Sequence, residues 1–191
     1  MNDSPTKALP AALRAAMVSR LEARGWALSG RVADAMRTVA RHHFVPETPL
    51  DEAYDDRTVI IKRDANGAPL SCASEPAVVA MMLDQLDVRP GHRVLEIGTG
   101  TGYNAALLAY VTGPGGQVTS VDIDSEVTAH ARQTLAATGY GRVQVATRDG
   151  ALGDPGHIPY DRIICTVGAW DLPPAWWAQL AQEGRLVVPL R

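Results

Sequence analysis

The sequence predicts an α/β protein with a doubly wound, mostly parallel sheet, and three observations support this fold class. From Pro76 onward, short apolar segments typical of strands alternate with segments of helical spacing, which is the pattern of parallel βαβ units. The apolar segments 163–167 and 186–190 carry no charge, as expected of strands buried on both faces. A glycine-rich turn joins the first predicted strand of this region to a helix.

The 191 residues are expected to form a single domain with two regions of different character. Residues 1–75 form an N-terminal helical and substrate-side region. Apolar stripes predict two short helices there, one around 13–21 and one around 32–39, whereas 51–75 has no clear period and is predicted as loop. Residues 76–191 form the cofactor-binding core. Its predicted elements are a helix at 76–86, a strand at 93–98, a helix at 104–111, a strand at 117–123, a helix at 125–139, strands at 142–149 and 160–167, a helix at 173–180 and a last strand at 184–190.

Composition excludes several classes of function. A formal net charge of −3 gives no broad basic surface, so no nucleic-acid partner is expected. No apolar run approaches the ~20 residues of a membrane span, and the charged N-terminus lacks the apolar core of a signal peptide. Cys72 and Cys165 have neither a C-x-x-C partner nor a nearby cluster of metal ligands. We therefore expect a cytoplasmic protein with no membrane partner and no metal site.

The glycine turn indicates the cofactor. Residues 98–102 read G-x-G-x-G, and Glu96 stands two residues before the first glycine. A dinucleotide fingerprint reads G-x-G-x-x-G, so this spacing disfavours a nicotinamide-dependent dehydrogenase. The combination resembles motif I of class I S-adenosylmethionine-dependent methyltransferases, which have a Rossmann-like fold. Glycines allow the backbone to approach the amino-acid end of that cofactor, and Glu96 is expected to meet its ammonium group.

Two further strand ends extend the predicted cofactor site. Asp122 ends the second strand of the core, where a carboxylate can hold both ribose hydroxyls, and Asp124 more simply caps the next helix. Asp149 ends the third strand, where an acid in methyltransferases meets the adenine amino group. The predicted cofactor-binding residues are Glu96, Gly98, Thr99, Gly100, Gly102, Asp122, Ile123, Asp149 and Gly150.

Particular segments outside the glycine turn carry a closer resemblance. They are Phe44-Val45-Pro46, Ala53-Tyr54 with Asp56, a Ser-x-Pro helix start before the turn, the stretch "VLEIGTGTGY", Asp149-Gly150, "PYDRIICTVGA" and "GRLVVPL". Over nearly its whole length the chain resembles the protein-L-isoaspartate O-methyltransferases. The resemblance implies carboxyl O-methylation of isoaspartyl or aspartyl residues in a protein or peptide, with S-adenosyl-L-methionine as cofactor. A carboxylate is already ionised at pH 7, so no general base is required.

The chain departs from that family where the acceptor serine is expected. The family pattern G-x-x-[I/L]-S-x-P is split here by three extra residues, so Ser71 matches from the left and Ser74 from the right. Ser74 keeps the family's distance to Gly98, and we take it as the candidate catalytic serine, with Ser71 as the alternative. A role of Ser74 in capping the helix alone is an equally supported interpretation. Cys72, in the insertion, is read as a small loop residue.

The acceptor itself stays open. The stretch "VIIKRDANGAPLSCASEP" looks more like a branch of the family found beside peptide-maturation systems in actinobacteria, so a methyltransferase that tailors a ribosomally made peptide is one alternative. A non-catalytic S-adenosylmethionine-binding protein is another. Trp170 and Asp171 follow the fourth strand, where acceptor-binding groups usually project. For the tryptophans, a role as packing residues is an equally supported interpretation. Adjacent Trp176 and Trp177 cannot both face the core.

The last strand gives one more expectation. In the resembling fold the sheet continues past the fifth strand, whereas here the fifth strand "GRLVVPL" is followed only by Arg191. We therefore expect a core that lacks the last strands of the sheet. Leu186, Val187 and Val188 would then form an apolar edge, which favours self-association or a partner that supplies the missing strands.

Overall fold

A computed structural model of the protein describes residues 5–25 and 28–191. The helices are α1 Pro5–Ala23, α2 Gly30–Thr38, α3 Pro76–Leu86, α4 Tyr103–Thr112, α5 Ser125–Ala137 and α6 Pro174–Gln179. The strands are β1 Val59–Arg63, β2 Pro69–Ala73, β3 Arg93–Ile97, β4 Gln117–Asp122, β5 Gln144–Thr147, β6 Tyr160–Cys165 and β7 Leu180–Val187.

The main sheet has the predicted doubly wound architecture. Five parallel strands lie in the order β5-β4-β3-β6-β7. The chain enters the sheet at the central strand β3, adds β4 and β5 toward one edge, and then crosses over to add β6 and β7 toward the other edge. Their carboxyl ends, which carry the predicted cofactor residues, meet at one edge of the sheet. The predicted fold class is therefore confirmed.

The last strand differs from its prediction. It begins at Leu180, four residues earlier than predicted, and lies at an edge of the sheet. Segment 186–190 was expected to be buried on both faces, and this is wrong. Its first residues are only half-buried and Leu190 is 62% exposed, because β6 is the only strand beside β7 among the described residues.

A β-hairpin replaces the predicted loop in the N-terminal region. β1 and β2 pair antiparallel, from Val59 opposite Ala73 to Arg63 opposite Pro69. Asp64 holds the connecting turn, since its Oδ1 accepts hydrogen bonds from the N–H groups of Asn66 and Ala68, and Gly67 takes a positive φ of 84°. An Asn-Gly pair between two short apolar segments is the usual signal for such a hairpin.

Lys62 anchors this hairpin to the main domain. Its Nζ donates to Asp124 Oδ2 at 2.5 Å and to Glu126 Oε2 at 2.6 Å. Asp124 is also the predicted cap of α5, because its Oδ1 accepts from the first N–H groups of that helix. These contacts raise the pKa of Lys62 and lower the pKa of Asp124. The hairpin is thus tied to the loop that follows Asp122.

The N-terminal helices share one hydrophobic core with the sheet domain. Met17, Met36, Phe44 and Tyr54 are each at most 1% exposed and belong to the same buried cluster as Leu107 of α4. Such a continuous core makes the N-terminal region part of a single packed unit rather than an appended arm.

A buried polar network lies beneath the glycine turn. Glu96 of β3 is 0% exposed, and its Oε2 accepts from Ser120 Oγ at 2.5 Å while its Oε1 accepts from Asn104 Nδ2 at 2.8 Å. Ser120 Oγ lies a further 2.7 Å from Thr99 Oγ1. Burial raises the pKa of the Glu96 carboxyl from 4.5 to about 7. The network joins β3, β4 and α4 to the turn.

The raised pKa predicts a specific pH dependence of folding. Between pH 4.5 and about 7 the native state holds a proton on Glu96 that the unfolded chain has released, so this group's contribution to stability is lost as pH rises through that window. Glu96→Gln keeps the hydrogen-bonding shape without the charge and should flatten the slope. Denaturant unfolding of the wild type, Glu96→Gln and the exposed control Glu183→Gln across this range measures the difference. Equal slopes for the wild type and Glu96→Gln would contradict the assignment.

Candidate active site

The glycine turn after β3 packs directly against the end of β6. Gly98, Gly100 and Gly102 have φ values of +96°, +51° and +85°, which favour glycine. A Cβ on Gly98 would lie 2.6 Å from Thr166 Oγ1 and 2.8 Å from Val167 Cγ1. The turn therefore brings bare backbone to the carboxyl edge of the sheet, where a ligand can approach it closely.

Two cavities adjoin this turn, and Gly98 borders both. The first, which we name the Asp122 cavity, has a volume of about 270 Å³ and is bordered by Asp122, Ile123, Gly150 and Trp176 among others. The second, which we name the Ser74 cavity, has a volume of about 50 Å³ and lies between the glycine turn and the start of α3. Because Gly98 borders both, a ligand lying across the turn can reach from one cavity into the other.

The Asp122 carboxylate stands at the end of β4 with both oxygens near the cavity wall. Its Oδ2 accepts from the Gly100 N–H at 3.2 Å and its Oδ1 from the Asp124 N–H at 3.1 Å. Each carboxylate oxygen can accept more than one hydrogen bond. Asp122 therefore keeps acceptor capacity for the two hydroxyls of a ribose.

The turn after β5 is fixed from below by Trp176. Its indole Nε1 donates to the Gly150 carbonyl at 2.8 Å, and its side chain is 3% exposed. Asp149 is exposed, and its Oδ1 accepts from the Ala151 N–H at 2.9 Å, so its other oxygen stays available to a ligand. Trp177, the next residue, is 54% exposed, as expected for neighbours on one helix.

The structure brings most of the predicted site residues together. Those that border a cavity are Ser74, Gly98, Thr99, Gly100, Asp122, Ile123 and Gly150. Those that border neither cavity are Ser71, Glu96, Gly102 and Asp149. Gly102 precedes α4 and packs its backbone against Leu135, where a Cβ would lie 3.3 Å from Leu135 Cγ.

Glu96 differs most from its expected place. The sequence places it beside the cofactor's ammonium group, but the side chain is fully buried and both of its oxygens already accept hydrogen bonds from Ser120 and Asn104. β3 is the central strand of the sheet, and this is the physical reason for the burial. Glu96 therefore contacts Ser120 and Asn104 next to the glycine turn and does not border the Asp122 cavity or the Ser74 cavity.

Ser74 and Ser71 lie in different places. Ser74 lies between β2 and α3 and borders the Ser74 cavity. The N-cap residue of α3 is Glu75, whose side chain forms no cap, and Asp56 Oδ1 accepts from the Ala77 N–H in the first turn. Ser71 lies within β2 opposite Lys62 of β1. Ser71 therefore belongs to the hairpin, whereas Ser74 borders the cavity beside the glycine turn. The role of Ser74 toward an acceptor stays a prediction.

Sequence reasoning missed several residues of the Ser74 cavity. Arg41, Asn104 and Thr166 border it, and Cys72 of the insertion does too, with its carbonyl oxygen 3.5 Å from a Cβ built on Gly100. Asn104 stands two residues after the last glycine of the motif, which is a signal that could have been used. Trp170 is 81% exposed and, with Asp171, borders the Asp122 cavity.

A third cavity borders strand β1 of the hairpin. This hairpin cavity has a volume of about 360 Å³ and is enclosed by residues 44–48, strand β1 and the first turns of α5. Gly100 and Thr101 also border it, so it meets the Ser74 cavity at the glycine turn. Its charged lining residues are Glu47, Lys62 and Glu126.

The described residues contain neither a metal-binding cluster nor a membrane-spanning helix. Within 5–25 and 28–191, no group of three or more His, Cys, Asp or Glu side chains is arranged to hold a metal ion. No helix of that part of the chain is long and apolar enough to cross a membrane.

Known proteins resemble this chain over most of its length. The family model described as protein-L-isoaspartate(D-aspartate) O-methyltransferase (PCMT) matches residues 12–191. The protein-L-isoaspartate O-methyltransferase of Methanopyrus kandleri is 44% identical over 178 residues, which are 93% of this chain and 76% of the relative. That of Aeropyrum pernix is 42% identical over 93% of this chain and 66% of the relative.

Solved structures give the same result for the fold. A structure named protein-L-isoaspartate O-methyltransferase matches with a TM-score of 0.85 at 33% identity, and the match covers 93% of this chain and 55% of that chain. A second, from Plasmodium falciparum and described as in complex with S-adenosyl-L-homocysteine, has a TM-score of 0.81 at 19% identity and covers 93% of this chain and 84% of that chain. The match to the family model and the identity to curated relatives over most of the chain establish that this protein belongs to the protein-L-isoaspartate O-methyltransferase family of S-adenosylmethionine-dependent enzymes.

Proposed function

We propose that this chain transfers a methyl group from S-adenosylmethionine to the side-chain or α-carboxylate of an isoaspartyl or aspartyl residue in a peptide or protein. The observation that carries the proposal is that Gly98 borders both the Asp122 cavity and the Ser74 cavity. A ligand bound along this edge joins a ribose-binding acid to the serine expected beside the acceptor. Family membership supports the same reaction.

The residues present fit the cofactor. Asp122 would hold the ribose hydroxyls, Ile123 and Gly150 would border the adenine, and the exposed Asp149 would receive its amino group. Gly98, Thr99 and Gly100, which border the Ser74 cavity, would offer bare backbone to the amino-acid end. When bound, S-adenosylmethionine supplies a methyl group on a positively charged sulfonium sulfur.

The protein's own contribution is to orient and desolvate the acceptor carboxylate. The acceptor is already an anion at pH 7, so no side chain has to remove a proton. Ser74 can donate a hydrogen bond to one carboxylate oxygen and leave the other directed at the methyl carbon. Holding oxygen, carbon and sulfur in line is the main requirement of such a transfer.

The direct test is transfer of an isotope-labelled methyl group to synthetic peptides. An isoaspartyl peptide should gain a base-labile label, and a sequence-matched asparaginyl peptide, which has no side-chain carboxylate, should not. The normal aspartyl peptide separates preference for the isomer from preference for any carboxylate. Cofactor binding by calorimetry with no label on any peptide would favour a non-catalytic binding protein and overturn the proposal.

A dedicated peptide acceptor is the second candidate, and the long hairpin favours it. β1 of the hairpin lines the hairpin cavity of about 360 Å³, which meets the Ser74 cavity at Gly100 and Thr101. Such a wall can read acceptor residues beside the methylated one. Labelling of a precursor peptide encoded next to this protein, with no labelling of generic isoaspartyl peptides, would select this candidate.

Self-association through β7 remains part of the proposal. Among the described residues β7 has a strand neighbour only on its β6 side, and Leu186 and Val187 are half-buried. A free apolar strand edge favours pairing with another chain. Sedimentation over a range of concentrations tests this, and a monomer throughout would contradict it.

We predict that Asp122→Ala weakens cofactor binding by roughly tenfold or more, since lost hydrogen bonds from two buried hydroxyls are worth about 1–3 kcal/mol. Calorimetry with S-adenosylhomocysteine measures the loss. Its 2′-deoxy analogue is the matched ligand, because it should bind the wild type more weakly and lose less on substitution. Unchanged affinity for the parent ligand would show that Asp122 does not hold the ribose.

We predict that Ser74→Ala lowers kcat/KM for the acceptor by roughly tenfold, the effect of one hydrogen bond of about 1.4 kcal/mol. Ser71→Ala is the matched control, since Ser71 lies within β2 and borders neither cavity of the glycine turn. Its kcat/KM should stay within about twofold of the wild type. Thermal melting checks that both variants fold, and loss of activity in Ser71→Ala alone would reverse the assignment.

A further inference from the structure

Arg41 is a buried cation in the wall of the Ser74 cavity. Its side chain belongs to the segment that enters the Phe44-Val45-Pro46 motif, and it is only 1% exposed. Removing a guanidinium from water is costly unless charges or hydrogen bonds compensate it. Each hydrogen-bond donor of this guanidinium is therefore expected to have a partner.

Two of the three guanidinium nitrogens are held by backbone carbonyls. Nε donates to the Ala53 oxygen at 3.0 Å and Nη2 donates to the Ser74 oxygen at 2.9 Å. The face of the guanidinium lies over the Tyr103 ring, with Cζ 5.1 Å from the ring centroid. These contacts fix the plane of the group and its distance to Ser74.

The third nitrogen is left over. Nη1 is buried and has no hydrogen-bond partner among the described residues. No carboxylate of that part of the chain forms an ion pair with Arg41. Asp56, which lies near enough to act on Arg41 electrostatically, is occupied by Arg24 and by the N–H of Ala77. A buried donor without a partner is rare in native proteins, and one on a charged group is especially costly.

We propose that Arg41 forms a carboxylate-binding subsite in the Ser74 cavity, with Nη1 donating to a carboxylate oxygen of the bound ligands. This inference rests on the proposed function, which brings two carboxylates to this cavity: that of the cofactor's amino-acid end and that of the acceptor. A charge-assisted hydrogen bond in a water-poor cavity gives orientation as well as affinity. Because Nη2 holds the Ser74 backbone, the same guanidinium also sets the position of the serine hydroxyl.

The test compares ligand pairs that differ in one carboxylate. For the cofactor, the pair is S-adenosylhomocysteine and 5′-methylthioadenosine, which lacks the amino-acid end. For the acceptor, the pair is an isoaspartyl peptide and its neutral amide analogue, each added to the protein saturated with S-adenosylhomocysteine. Calorimetry measures all four affinities, so no turnover is required and failure of the proposed function stays distinguishable from failure of this inference.

Arg41→Met should reduce the preference for the carboxylate member of at least one pair by about tenfold or more. Arg41→Lys, which keeps the charge but not the planar fork, should fall between Arg41→Met and the wild type. Arg20→Met is the matched control: Arg20 Nη2 donates to the Tyr54 carbonyl, next to the Ala53 carbonyl held by Arg41, but Arg20 does not border the cavity. Its preferences should equal those of the wild type.

The outcomes assign the carboxylate. A change confined to the cofactor pair places the cofactor's carboxylate on Arg41, and a change confined to the peptide pair places the acceptor there. Unchanged preferences in both pairs, or a wild type that prefers neither carboxylate, overturn the proposal. If both Arg41 variants fail to fold, a crystal structure of the wild type with S-adenosylhomocysteine and peptide decides, since a carboxylate oxygen must lie within about 3 Å of Nη1.

Discussion

The close packing of Gly98 against the end of β6 determines the shape of the active site. A side chain at this position would overlap Thr166 and Val167, and the positive φ would strain any other residue. The Thr166 hydroxyl donates to the carbonyls of Ile97 and Gly98, so the two strand ends are joined by hydrogen bonds as well as by contact. This packing leaves bare backbone between the Asp122 cavity and the Ser74 cavity. The proposed binding of the cofactor and of the acceptor carboxylate depends on that backbone.

The other wall of the Ser74 cavity is built by the N-terminal region. Arg41 holds the Ser74 carbonyl, and Asp56 accepts from the N–H of Ala77 in the first turn of α3. These two contacts fix the link between β2 and α3 at both ends. The helices before them share the core of the sheet domain, so the position of Ser74 relative to the glycine turn is set by continuous packing.

The sequence predicts the main sheet well because its signals are local. Glycine or aspartate residues mark the ends of the strands in the sequence. Asp122 and Asp149 stand at two of these ends, which the parallel connections bring to one edge of the sheet. The hairpin was missed because its strands are short and half-exposed, although Asn66-Gly67 marks its turn. Glu96 was misplaced because no sequence pattern distinguishes an acid that faces a ligand from one that supports the loop from below.

Arg41 could not be identified from the sequence for a related reason. Several arginines lie in the N-terminal region, and most of their side chains remain partly exposed. Tertiary contacts with Ala53, Ser74 and Tyr103 accompany the burial of this one, and they join segments that are distant in the sequence. The tertiary contact, rather than the residue type, gives it a place in the site.

The bare backbone at Gly98 is where the cofactor is proposed to bind. Calorimetry of S-adenosylhomocysteine with Gly98→Ala and with Gly115→Ala tests it most directly, since a Cβ at Gly115 has no atom within 4 Å and its φ is not positive. We predict that Gly115→Ala binds as the wild type does, whereas Gly98→Ala, checked for folding by thermal melting, loses affinity by about tenfold or more, as expected when steric overlap of more than 1.4 kcal/mol is introduced. Equal affinity of a folded Gly98→Ala variant and the wild type would contradict the account.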